Sequence, residues 1–116
     1  MDFSNIDVFP MDTKINSEGV LEIGGCDVLS LAKSHGTPLY VYDEKTIRSM
    51  AQTFVGEFTS RYPKTSVAYA SKAFLNLAMA KISNEENLSL DVVSGGEIAV
   101  AHAAGFPSNK MYFHGN

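Results

Sequence analysis

Cys26 is the only cysteine in the 116-residue chain, which excludes an internal disulfide and any thiolate metal cluster built from this chain alone, and suits a reducing compartment. Long apolar runs are missing as well. No stretch could span a bilayer, and the opening Met1-Asp-Phe-Ser-Asn-Ile-Asp7 lacks the basic region and apolar run of a secretory signal. The expected location is cytoplasmic, with no membrane partner. Positive charge is also in short supply. A formal net charge of −4 and a sequence pI near 5.2 give no electrostatic attraction toward phosphate backbones, so no nucleic-acid partner is expected. Finally, the chain is too short for a complete eight-stranded α/β barrel, which takes roughly 250 residues.

What is present is the balance of an ordinary globular chain: 45% hydrophobic and 19% charged residues, enough apolar material to bury a core. The first quarter, residues 1–25, reads as a leader segment. Within it Lys14-Ile15 and Val20-Leu-Glu-Ile23 flank the turn formers Asn16-Ser-Glu-Gly19, which predicts a β hairpin. Asp27 is placed to cap a short helix through Val28, Leu29, Leu31 and Ala32, with Gly36 and Pro38 as its stop.

From residue 26 to the end the pattern alternates. Leu39-Tyr-Val-Tyr42 reads as a strand, and Asp43 follows it as the N-cap of a helix. In that helix Ile47, Met50, Ala51, Phe54 and Phe58 share one face and are expected to point into a core. Pro63 closes the helix region, Ser66-Val-Ala-Tyr-Ala70 gives another strand, and Leu75, Ala78, Met79 and Ile82 mark the next helix. A third unit runs from Leu88-Ser-Leu-Asp-Val-Val93 into an alanine-rich helix ending near Gly105 and Pro107. Met111-Tyr-Phe-His114 begins a further strand. Single helices between strands imply parallel β-α-β connections and an α/β fold.

Lys72 stands two positions past the strand ending at Ala70, at a carboxyl end, where parallel α/β folds build their sites. A lysine there can form a Schiff base with an aldehyde cofactor when partial desolvation supplies the neutral amine, and the small neighbours Ala70, Ser71 and Ala73 leave room for a planar ring. Taken alone, a lysine in such a loop is ordinarily a solvated surface group. Gly95-Gly96 invites a phosphate-loop reading, but Ser94-x-x-Glu97 has the form of a capping box that already uses those N–H donors.

Four strings change the weight on Lys72. Thr37-Pro-Leu-Tyr-Val-Tyr42, Tyr69-Ala-Ser-Lys-Ala73, Asp91-Val-Val-Ser-Gly-Gly-Glu97 and His114-Gly-Asn116 together resemble, in order and spacing, the diaminopimelate decarboxylases. The second of these strings, Tyr-Ala-x-Lys-Ala, is shared with ornithine, arginine and carboxynorspermidine decarboxylases; Ser-Gly-Gly-Glu and His-Gly-Asn narrow the choice. The resemblance implies an alanine-racemase-like (β/α) TIM-type barrel, of which residues 26–116 are the first β/α units, incomplete at the C-terminus. It also implies pyridoxal 5'-phosphate as cofactor, with Lys72 forming the internal aldimine, and decarboxylation of meso-2,6-diaminopimelate to L-lysine. Asp91 matches an aspartate beside the cofactor lysine. Tyr69 and Ala70 are expected to line the pocket, and His114 to lie near the ring or the substrate. The resemblance further implies a small amino-acid substrate and a homodimer when full length, and it places the phosphate-binding glycines and most substrate contacts after residue 116. A non-catalytic barrel fragment that only associates with other subunits is the alternative.

Overall fold

Asn16 turns the chain where the hairpin was predicted. Its side-chain Oδ1 accepts the N–H groups of Glu18 and Val20 at 3.0 and 2.9 Å, an Asx-type turn, and Gly19 completes it at φ +78°. The computed structural model describes residues 6–115. On either side of this turn β1 (Lys14–Ile15) pairs antiparallel with β2 (Leu21–Ile23). A third strand, β3 (Cys26–Asp27), then adds to β2, so the leader sheet continues past residue 25. Asp27 ends β3 and caps α1 (Val28–His35), its carboxylate accepting from Ser30 N–H at 2.8 Å. Gly36 at φ +81° stops α1, as the sequence predicted.

Leu39–Tyr42 was expected to be a strand and is not one. A β-prone run becomes a strand only when another strand takes its N–H and C=O groups, and this run carries no ladder; Tyr40 is 86% exposed. Asp43 does cap the helix that follows, α2 (Glu44–Arg61), accepting from Lys45 N–H at 3.0 Å and from the Thr46 hydroxyl at 2.9 Å.

The apolar stripe of α2 departs from expectation too. Only Ala51 is buried in this helix, while Met50, Phe54 and Phe58 are about half exposed (50%, 52% and 49%). A stripe is buried where a second layer covers it, and among the described residues none does so beyond Ala51. The chain divides into two compact units, Met1–Ser49 and Met50–Asn116.

The second unit contains the regular α/β pattern. Strand β4 (Ala68–Ala70), helix α3 (Leu77–Glu85), strand β5 (Ser89–Val92), helix α4 (Gly95–Ala103) and strand β6 (Met111–Phe113) follow in order, and β4-β5-β6 form one parallel sheet. The predicted parallel β-α-β series is present. Both helices begin on side-chain caps: Asn76 accepts from Met79 N–H at 2.8 Å and Ser94 from Glu97 N–H at 3.2 Å. Both end the same way. Asn87 (φ +60°) and Gly105 (φ +73°) adopt the left-handed conformation, and the next residues, Leu88 and Phe106, bond back to the carbonyls of Ser83 and Ala101. These are Schellman endings, and they deliver Leu88 and Phe106 into the core. That core is Leu90, Val92, Ala101 and Phe106, with Tyr69, Leu75 and Met111 packed against it.

Candidate active site

Strand pleating decides which residues share a face. The register pairs Ala70 with Asp91 and Asp91 with Tyr112, so these three lie on one face of the sheet. Tyr69, Leu90 and Met111, also paired in register, lie on the other, packed toward the core. Tyr69 and Ala70, expected to line the pocket together, stand on opposite faces. Adjacent strand residues point to opposite faces, and Tyr69 goes to the core side, its hydroxyl donating to the Phe74 carbonyl at 2.8 Å.

Lys72 follows β4 in a single 3-10 turn, Ser71–Ala73, and is exposed. Asp91 stands one position before Val92, the last residue of β5, with its side chain 29% exposed; His114, just past β6, is 81% exposed, and its Nδ1 lies 3.8 Å from Asp91 Oδ1. That separation is too long for a hydrogen bond and short enough for attraction whenever the imidazole is protonated. Lys72, Asp91 and His114 thus stand at the carboxyl ends of three successive parallel strands, with Ala70 on the same face as Asp91.

Ser71 was read only as a small neighbour leaving space, and the structure gives it a different part. It is 1% exposed. Its hydroxyl reaches the Asp91 carbonyl oxygen at 2.7 Å and also contacts the Glu97 carboxylate. Glu97 Oε2 further accepts from Val93 N–H at 3.2 Å, and Oε1 from the Ser94 hydroxyl at 2.9 Å. The Ser71 hydrogen bond is the largest influence holding the Glu97 carboxyl below its ordinary value; burial opposes it, and Ser94, Val93 N–H and the charge of Lys72 add to it. The capping-box spacing from Ser94 to Glu97 was legible, but a hydrogen bond linking Ser71 to Glu97 across 26 positions has no local signal. At the start of α4 the Glu97 N–H is taken by Ser94 Oγ and, just before the helix, the Val93 N–H by Glu97 Oε2.

An exposed primary amine at a strand's carboxyl end, between Ser71 and Ala73, suits attachment of a planar aldehyde cofactor. Among the described residues there is no cluster of three or more His, Cys, Asp or Glu side chains that could hold a metal ion, and no helix is long and apolar enough to cross a membrane.

A family defined by its cofactor matches more than half of the chain. The model for the pyridoxal binding domain of pyridoxal-dependent decarboxylases matches residues 45–116, and the chain belongs to that family. More particularly, it is similar to diaminopimelate decarboxylases. It is 56% identical to that of Bacillus methanolicus over 104 residues, covering 90% of this chain and 24% of the relative. With that of Bacillus subtilis (strain 168) it shares 57% identity over 101 residues, covering 87% and 23%. The crystal structure of diaminopimelate decarboxylase from M. jannaschi superposes with a TM-score of 0.74 at 34% identity, over 89% of this chain and 24% of that one. The chain therefore spans about a quarter of the length of the relatives it matches.

Proposed function

We propose that these residues form part of a diaminopimelate decarboxylase, in which Lys72 holds pyridoxal phosphate covalently and meso-2,6-diaminopimelate is converted to L-lysine and carbon dioxide. The observation that carries the reading is the position of Lys72: the lysine of Tyr-Ala-x-Lys-Ala stands exposed at the carboxyl end of β4, beside the strand that carries Asp91 near its own carboxyl end. Residues 26–116 then correspond to the first β/α units of the barrel and residues 1–25 to its leader. A homodimer of full-length subunits in the cytoplasm belongs to the same reading and is supported by the resemblance alone.

Each residue has a task its chemistry allows. The Lys72 amine attaches the cofactor and, when released, can carry a proton on Nζ. Asp91 presents a carboxylate on the strand beside β4, a group whose charge would orient a nearby amine and favour its charged form. Ala70 offers a surface without bulk on the Asp91 side of the sheet. His114, 3.8 Å from Asp91, can place a second titratable group at the same strand ends. When bound, pyridoxal phosphate supplies an electron sink for the electron pair left on carbon as carbon dioxide departs.

Borohydride reduction followed by peptide mapping tests the attachment; a pyridoxyl group on another lysine, with Lys72 unmodified, removes the assignment. A decarboxylase acting on ornithine or arginine shares the Tyr-Ala-x-Lys-Ala signal. The longest natural polypeptide carrying these residues, assayed against meso-diaminopimelate, ornithine and arginine, separates the two, and turnover of only the latter pair would overturn the substrate proposed.

A further inference from the structure

We propose that Ser71 and Glu97 are positioning residues for Lys72: the buried hydroxyl and the carboxylate it meets clamp the turn that carries the lysine onto the end of β5 and the first turn of α4. This role rests on the reading of Lys72 as the cofactor lysine and adds to it what fixes that lysine's place on the sheet.

Lys72 stands in a turn of three residues, Ser71–Ala73, whose N-cap Ala70 makes no side-chain cap bond. So short a 3-10 turn has little hydrogen bonding of its own, and the exposed Lys72 side chain offers no packing to anchor it. The anchors come from its neighbours. At the far end the Tyr69 hydroxyl donates to the Phe74 carbonyl at 2.8 Å. At the near end Ser71, the buried residue of the turn, is 1% exposed, and its hydroxyl meets the Asp91 carbonyl oxygen at 2.7 Å and the Glu97 carboxylate. The residue before the lysine is thereby bonded to the main chain of Asp91, just past the point where Ala70 pairs with Asp91. The placements of Lys72 and Asp91 are coupled through that one hydroxyl.

Glu97 gives this clamp its rigidity. In a capping box the glutamate carboxylate turns back to the N–H of the capping residue, and here it reaches further. Its Oε2 accepts from Val93 N–H at 3.2 Å, one residue before the cap, and from the Ser71 hydroxyl 26 positions away, while Oε1 takes the Ser94 hydroxyl at 2.9 Å. Donors from the Lys72 turn, from the residue after β5 and from the cap of α4 thus converge on one carboxylate. Hydrogen bonds to an ionised acceptor are the stronger ones, so removing either the hydroxyl or the charge frees the near end of the turn. Glu97 acts on the lysine through Ser71 and the backbone, with no contact to the amine required. Bond formation with an aldehyde held in place depends steeply on where the amine is delivered, so a loosened turn lowers the rate at which Lys72 reacts.

The test uses the longest natural polypeptide carrying these residues, stripped of cofactor, with two readouts. Amide hydrogen exchange of the peptide covering Ser71 to Phe74 reports the clamp. The rate at which added pyridoxal phosphate is fixed on Lys72 by borohydride, relative to Lys64 and Lys81 and read by peptide mass spectrometry, reports the placement of the amine. Glu97→Gln keeps the side chain's shape and removes its charge; it is expected to speed exchange in that peptide and to slow Lys72 labelling roughly three- to tenfold. Removing a negative charge by itself favours a neutral amine, so a slower rate reports position and not ionisation. Ser71→Ala should act in the same direction, and Ser71→Cys, which keeps the volume and a weak donor, should recover part of the rate and serves if the alanine variant does not fold. Ser71→Ala combined with Glu97→Gln should lose no more than the larger single loss, because both break one clamp. Unchanged exchange in the Glu97→Gln protein overturns the clamp. Faster exchange with the Lys72 rate unchanged, or losses that add in the double variant, overturns the positioning role and leaves a structural contact. Labelling of wild-type protein at other lysines with Lys72 untouched is a separate result: it overturns the assignment of Lys72 itself.

Discussion

Asp91 and Ser83 illustrate opposite fates of a polar group near a core. Asp91 sits at a strand end, 29% exposed and facing His114, so its charge remains available to the site. Asp91→Asn keeps the shape and loses the charge. It is expected to lower turnover of the natural enzyme by at least about tenfold while shifting thermal stability little; normal turnover, or equal loss of both, returns Asp91 to a structural role. Ser83 is fully buried in α3, and its hydroxyl has no hydrogen-bond partner among the described residues. A buried hydroxyl left unbonded costs about 1–3 kcal/mol in lost hydration, and alanine is also the better helix former. Ser83→Ala should therefore stabilise the protein by about 1 kcal/mol, seen as a higher melting temperature. A lower one would show that the hydroxyl is satisfied in solution.

At the scale of single elements, most helices and strands were legible because their signals are local. Asp27, Asp43, Gly36 and the Ser94-x-x-Glu97 box all act within a turn or two of their own position, and each does what its spacing announced. The failures share one cause. Leu39–Tyr42 and the stripe of Met50, Phe54 and Phe58 carry correct local patterns for burial, but burial needs a partner surface that a sequence window does not contain. Strand alternation by itself puts Tyr69 and Ala70 on opposite faces; the buried contact of Ser71 with Glu97 was not legible at all. That contact has a consequence for α4. Because the folded Glu97 carboxyl is held below its ordinary value of 4.5, its contribution to stability is fully present above that value and is lost as pH falls through the lowered one. Thermal melts from about pH 6 to about pH 3 should fall less steeply for Glu97→Gln than for the wild type. Parallel slopes would show that the Ser71 and Ser94 contacts do not persist in the ionised protein.

For the whole molecule the decisive feature is a three-stranded parallel sheet, β4-β5-β6, with two edges and with Ala70, Asp91 and Tyr112 on the face away from the core. Parallel sheets are stable when both faces are covered and their edges are paired. Tyr112 and Phe113 are instead 54% and 62% exposed, and Met50, Phe54 and Phe58 add a further apolar surface on α2. Taken alone, the 116-residue polypeptide should associate with itself through such surfaces, giving species larger than a monomer in size-exclusion chromatography. It should also release no carbon dioxide from meso-diaminopimelate. The matched segment is 24% of its Bacillus methanolicus relative, and a decarboxylase must fix both its cofactor and its substrate so that one bond lies in a reactive alignment. Lys72, Asp91 and His114 supply an attachment point and two titratable groups at one side of that task. The polypeptide, saturated with pyridoxal phosphate and compared with Lys72→Ala, is expected to show equal and background rates even where Lys72 becomes labelled. Lysine formation well above the Lys72→Ala control would mean that these strand ends hold a sufficient catalytic site by themselves.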